Sequence, residues 1–195
     1  MLHGLEGSSR SGYAREAYRA LQARGIACVG LSFRSCSGEL NRAPRLYHSG
    51  ETGDLRTVLH LLVPRFPGRP LGAVGFSLGG NVLLKYLGEE GTAAPLAAAV
   101  AISVPFDLAA GARRLEKGVS RGYRRYLVGK LKRKTLAKAA LLGGRIDLGW
   151  VRRSRSFEEF DDAATAPLHG SPTRRTTTPA LAPTSSSPPS GCPRS

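Results

Sequence analysis

Apolar positions change their period several times along the 195-residue chain, and each change marks an element. Tyr13, Ala17, Ala20 and Leu21 share one face at helical spacing, and Gly25 stands just past the last turn, which predicts a helix over 13–24. Ile26 to Phe33 is almost continuously apolar, the pattern of a strand covered on both faces. A polar loop over 34–49 leads to a second predicted helix, 53–66, with Gly50 or Thr52 as its cap. Pro67-Gly68-Arg69-Pro70 reads as a turn. Leu71 to Phe76 predicts a strand, Asn81 to Leu87 a helix closed by Gly88, and Leu96 to Val104 a further strand. Strands alternating with helices in this way argue for a parallel sheet with helices on both faces.

The pattern changes after Pro105-Phe106-Asp107. Leu108 to Leu142 predicts two or three helices rich in Arg, Lys and Leu, broken near 118–122 and uninterrupted by a strand. A helical insertion at the end of a sheet strand has the position of a lid or cap. Leu115, Tyr123, Tyr126, Leu127 and Leu131 recur at helical spacing, either to face a site or to pack the cap onto the body. Ser156 to Asp162 adds an acidic patch opposite this basic segment. From Ser171 onward the residues are mostly Ser, Thr, Pro, Arg and Ala without apolar periodicity, which predicts disorder. The expected division is a core over 1–106, a basic cap over 107–155, a return segment over 156–170 and a disordered tail over 171–195.

Charge changes this picture more than composition does. The formal net charge is +15, and between Arg113 and Arg155 the acids are Glu116 and Asp147 alone. Such a stretch attracts anionic lipid, nucleic acid or an acidic substrate, or forms a solvated helical surface. It carries no DNA- or RNA-binding motif, so no nucleic-acid partner is expected. The three cysteines, Cys28, Cys36 and Cys192, have no metal-like spacing and suggest a reducing compartment, the cytoplasm. No signal-peptide pattern and no apolar run of membrane-spanning length is visible. Histidines and acids lack ligand spacing, so neither a metal nor an organic cofactor is expected.

The candidate chemistry lies in Gly75-Phe76-Ser77-Leu78-Gly79-Gly80, between a predicted strand and a predicted helix. In that context G-x-S-x-G describes a strained turn that projects the serine Oγ above the sheet, with small residues two positions away because the turn is tight. Ser77 is the candidate nucleophile, and the Leu78 N–H would face a developing oxyanion at the helix N-terminus. The competing reading is a glycine-rich turn with Ser77 as an N-cap.

Five segments in order resemble one family. Leu2-His3-Gly4-Leu5-Glu6-Gly7-Ser8-Ser9 looks like its oxyanion loop. Phe33-Arg34-Ser35-Cys36-Ser37-Gly38-Glu39 and Tyr47-His48-Ser49-Gly50-Glu51-Thr52 are similar to two further motifs, the second extended by Asp54-Leu55. Gly75 to Asn81 matches its elbow, and Val104-Pro105-Phe106-Asp107-Leu108 its strand end. The family is the YheT-like, family-4 branch of the α/β-hydrolases, and the resemblance covers 2–170. It implies a partial α/β-hydrolase fold with a helical cap insertion. It also implies carboxylic ester hydrolysis through an acyl-enzyme on a small-molecule ester or lipid. Ser77 matches the nucleophile, and Leu5 and Leu78 match the oxyanion donors.

The acid and histidine of such a triad follow the serine in chain order. Asp107 is a candidate acid, or else the cap of the first lid helix. No triad histidine is identified: His169 follows Ser77 but lies in a segment to which the family gives a structural role, His48 precedes Ser77, and His60 falls within a predicted helix. The resemblance ends at Gly170, and 171–195 reads as an out-of-frame product. The family also implies a strand before His3, between the strands at Ile26 and Leu71, whose inner edges are expected to be unpaired here. Weak or absent activity is therefore expected. The alternatives are an inactive remnant of the family or a basic module that docks on anionic membrane.

Overall fold

The computed structural model describes residues 1–106, 120–142 and 144–170. Two parallel strands, β1 (Gly72–Phe76) and β2 (Ala98–Ile102), pair in register from Gly72 with Ala98 to Phe76 with Ile102. On the other side of β1 lies Leu2, which bridges both Gly75 and Leu31 in parallel. The Leu2 N–H donates to the Val74 carbonyl at 2.8 Å, the Phe76 N–H to the Leu2 carbonyl at 3.0 Å, and the Leu31 N–H to the Met1 carbonyl at 2.9 Å.

Two expectations are corrected by this arrangement. The inner edges are not left open along their whole length, because Met1 and Leu2 lie between them. The strand expected over 26–33 is reduced to the bridge at Leu31, with Ile26 and Val29 exposed. A two-residue partner supplies too few ladder bonds to hold an eight-residue strand.

Among the described residues three helices precede or follow the strands of the body, and the third packs on both strands. α1 (Gly12–Gln22) and α2 (Gly53–Leu62) fall where the periodicity predicts, and α2 buries Leu55 and Leu59, one turn apart. α3 (Leu78–Glu90) starts directly after Ser77 and buries Val82, Leu83 and Tyr86. These side chains join Leu2, Phe33, Tyr47 and Ala73 in one core. Polar ties lock α2 onto α3: the Thr52 hydroxyl donates to Glu89 at 2.6 Å and Arg56 to Glu90 at 2.7 Å.

Residues 120–142 are helical, as their pattern predicts, and further short helices follow over 148–169, where the pattern predicts none. α4 (Ser120–Ala137) is followed by α5 (Ala139–Leu142) and by α6 (Leu148–Arg153), whose Trp150 N–H donates to the capping Asp147 carboxylate at 3.0 Å. α7 (Phe157–Phe160) runs through a π-helical turn, Asp161–Thr165, into α8 (Ala166–His169), which ends at Gly170 with φ +72°. Val151, Phe160, Ala163 and Ala164 form a second core with Leu46 of the body. Lys138 is 1% exposed and donates to Asn41 Oδ1, the Ala43 carbonyl and the Arg45 carbonyl at 2.7–2.8 Å. Three oxygens compensate the desolvation of that ammonium, and burial pushes its pKa down. Among the described residues no helix is long and apolar enough to cross a membrane.

Candidate active site

Ser77 sits at φ 51°, ψ −119°, a conformation that a β-carbon disfavours and that persists only under constraint. The constraint comes from both flanks. The Ser77 N–H donates to the Ile102 carbonyl at 2.8 Å, and the Ser77 carbonyl accepts from Gly80 and Asn81 at 2.8 and 3.2 Å. The glycines around it are sterically required. A β-carbon at Gly75 would lie 2.5 Å from the Gly79 carbonyl oxygen, and one at Gly80 would lie 2.4 Å from Val104 Cγ2. At Gly79 it would lie 2.6 Å from the His3 carbonyl oxygen. The strand–turn–helix context expected for this stretch is therefore present, with Ser77 at its tip.

The loop over 3–9 packs directly against this turn, so close that a β-carbon on Gly4 would meet Ser77 Cβ at 3.3 Å. His3 holds the loop from beneath. Its Nε2 accepts from the Phe33 N–H at 3.0 Å, so in the neutral ring Nδ1 carries the hydrogen and donates to the Gly4 carbonyl at 2.7 Å. His3 is buried, and desolvation lowers its pKa, which keeps this tautomer uncharged. The Gly4 N–H donates to the Tyr13 hydroxyl at 2.9 Å. Leu5 and Leu78 both reach the same cavity as Ser77, and neither N–H is hydrogen-bonded among the described residues.

That cavity has a volume of about 660 Å³. Body residues such as Ser77 and Phe76 line one side, and Tyr123, Tyr126, Leu127 and Leu131 of α4 line the other. Leu115, the fifth position of that pattern, and Asp107, the candidate acid, lie outside the described residues, as does the tail over 171–195.

Three wall residues carry chemistry that the sequence reading did not single out. Glu6, in the oxyanion loop, and Asn81, in the first turn of α3, are both buried. The third is Asp161, at the start of the π-helical turn. Desolvation pushes its carboxyl up to about 6, against the stabilising hydrogen bond donated by Thr165 at 2.8 Å. The only sequence signal for Glu6 was its place beside Leu5, and for Asp161 its place in an acidic run.

The histidines separate. His48 lines the cavity, and burial, reinforced by His169, pushes its pKa to about 3. Its Nδ1 accepts from the Gly50 N–H at 3.1 Å, which leaves the ring hydrogen on Nε2. His169 packs edge-on against His48 with ring centroids 4.3 Å apart and is not on the cavity wall. His60 is exposed on α2. Among the described residues no imidazole is hydrogen-bonded to Ser77 Oγ. His48, His169 and Glu51 offer ligand atoms within 4.8 Å of one another, a proximity that no spacing in the sequence signals. Arg45 and the Gly53 N–H already donate to the Glu51 carboxylate, and the Gly50 N–H occupies His48 Nδ1.

A serine at positive φ between a parallel strand and a helix, with a glycine-containing loop packed against the turn, is the architecture of an α/β-hydrolase elbow. The alpha/beta hydrolase family model matches residues 1–191, and the chain belongs to that family. It is 46% identical over 172 residues to YheT of Escherichia coli (strain K12), covering 87% of this chain and 51% of that protein. It is 33% identical to the phospholipase ABHD3 of Mus musculus, and 32% identical to the monoacylglycerol lipase of Saccharomyces cerevisiae. Each of these alignments covers 87% of this chain, with 42% and 40% of the respective relatives. The chain thus spans about half the length, or less, of the curated relatives it matches. No solved structure matches it.

Proposed function

We propose that the chain carries the nucleophile and oxyanion half of a carboxylic ester hydrolase. Ser77 Oγ attacks the ester carbonyl, its proton passes to a base, and the alkoxide leaves as the alcohol. Water then cleaves the acyl-enzyme. The Leu5 and Leu78 N–H groups stabilise the oxyanion, helped by the N-terminus of α3. The observation that carries this reading is the strained backbone of Ser77, with Leu5 and Leu78 lining the same cavity.

The substrate is a small-molecule or lipid ester, in keeping with relatives named as a phospholipase and a monoacylglycerol lipase. Tyr123 and Tyr126 are each 57% exposed at the cavity wall, beside exposed Arg121 and Arg125 on α4. Aromatic and cationic groups together suit delivery of a lipid ester from an anionic surface. Free thiols at Cys28 and Cys36 suit a reducing compartment such as the cytoplasm.

Among the described residues no imidazole is hydrogen-bonded to Ser77 Oγ, so slow reaction of this chain is the expected outcome. Fluorophosphonate labelling tests this, with Ser77→Ala alongside. Slow labelling that Ser77→Ala abolishes is expected, and it quickens when the ester or probe is presented in anionic vesicles. A cooperatively folded chain that never labels, or labels equally as Ser77→Ala, overturns the assignment and leaves the family membership as ancestry.

A further inference from the structure

The loop beside Ser77 holds a second backbone outlier, Glu6, at φ +56°. A non-glycine residue stays in that region when its surroundings enforce it. Here three side chains do so. The Glu6 N–H donates to the Tyr47 hydroxyl at 2.8 Å, and that hydroxyl donates back to Glu6 Oε1 at 2.7 Å. Lys134 of α4 donates to the same Oε1 at 2.9 Å. Lys130, about one turn earlier, reaches the Glu6 carbonyl oxygen at 3.4 Å. Tyr47 is itself immobilised, stacked on Phe33 with ring centroids 5.4 Å apart.

Leu5 lies between two pinned neighbours. Gly4 is tied to Tyr13, and Glu6 to Tyr47 and Lys134. The Glu6 side chain is 1% exposed, and its Oε2 has no hydrogen-bond partner. Among the described residues the two donors to this buried carboxylate, Tyr47 and Lys134, therefore both reach Oε1, and Lys134 belongs to the other wall of the cavity. Removing one partner of a buried ion pair leaves an uncompensated charge, so loss of the lysine must be felt at the loop.

We propose that Glu6 is a positioning residue, and that the Glu6–Tyr47–Lys134 cluster is a latch through which α4, when seated, fixes the direction of the Leu5 N–H beside Ser77. Its consequence for the reaction rests on the ester-hydrolase reading; its mechanical part does not. With α4 displaced, Oε1 loses its ammonium, Glu6 leaves the left-handed region, and the Leu5 N–H turns away. The oxyanion site is thereby complete only beneath a closed wall.

Two readouts keep these claims apart. Hydrogen exchange over 3–9 and the rate constant of fluorophosphonate labelling are measured on the full chain for wild type, Lys134→Met, Lys134→Arg and Glu6→Gln. Lys134→Met and Glu6→Gln are expected to raise exchange over 4–7 about tenfold while β1 and α3 keep theirs. Both slow the covalent step about tenfold at unchanged non-covalent probe affinity, the scale of a misplaced catalytic donor. Lys134→Arg restores most of each effect. Unchanged exchange over 4–7, or a rise shared equally by β1 and α3, overturns the latch. Raised local exchange in a protein whose wild type never labels supports the latch and overturns the hydrolase reading. Labelling that responds while exchange does not leaves the hydrolase reading standing and overturns the latch.

Discussion

Gly79 shows how little room the elbow leaves. A β-carbon there would sit 2.6 Å from the His3 carbonyl oxygen and 2.8 Å from the Leu2 carbonyl carbon. Both are backbone atoms, so no side chain can rotate away. Gly79→Ala is therefore expected to push the loop over 3–9 off Ser77 and to cost about 3 kcal/mol. Gly88, in the same helix, has nothing within 4 Å of its β-position, and Gly88→Ala is expected to gain about 0.5–1 kcal/mol through helix propensity alone. Denaturant midpoints of the two variants check the contrast. Equal midpoints would mean that the elbow relaxes at no cost. Residue types announced this site: glycines flanking a serine, and His3-Gly4 at the loop. The partners of those residues were not visible, because His3 works through Phe33, and Glu6 through Tyr47 and Lys134, far away in the chain.

Of the two strands, β2 is the less covered. Its sequence, Ala98-Ala99-Val100-Ala101-Ile102, is that of a strand buried on both faces, yet Val100 is 51% and Ile102 38% exposed. Among the described residues β1 is its sole strand partner. An apolar edge with unpaired N–H and C=O groups is a template for another strand. Val100→Lys is expected to reduce concentration-dependent self-association while changing stability by less than about 1 kcal/mol, as read by sedimentation velocity and thermal melting. Association unchanged by the lysine would place the sticky surface elsewhere. Helix positions were legible from period and punctuation, as α1 and α2 show, but Gly88 does not close α3, which runs through it from Leu78 to Glu90. The strand expected over 26–33 was not, because a strand exists through its neighbours, and its apolar run meets a partner only at Leu31.

At the scale of the whole molecule, acid works against the fold. Burial lowers the pKa of His3, His48 and His169, with His48 at about 3 against an unfolded value near 6.5. A group of this kind contributes nothing to the pH dependence above about 6.5. Below it the unfolded chain takes up the proton first, so stability falls as pH drops from about 6.5 toward 3, by up to about 1.4 kcal/mol per pH unit per proton. Asp161 has the opposite sign. Its native pKa of about 6 lies above the unfolded 3.8, so its cost fades as pH falls through that window. Three imidazoles outweigh one carboxyl, and the net charge of +15 adds repulsion. The melting temperature is expected to fall between pH 7 and pH 5. His48→Asn, whose Oδ1 can accept from the Gly50 N–H in place of Nδ1, should flatten that slope. A profile identical to wild type would mean that His48 protonates freely in the folded protein.

The chain's local chemistry determined its family, its helices, the elbow and the basic helical segment, because each is written in contiguous residues through steric and periodic rules. Tertiary structure alone decided what surrounds the serine. It seated Met1 and Leu2 in the sheet, closed α4 over the cavity and faced Glu6 with Lys134. It also separated His169 from the cavity and set it against His48. Such pairings depend on burial and direction between residues up to 128 positions apart, and no spacing along the chain encodes those directions.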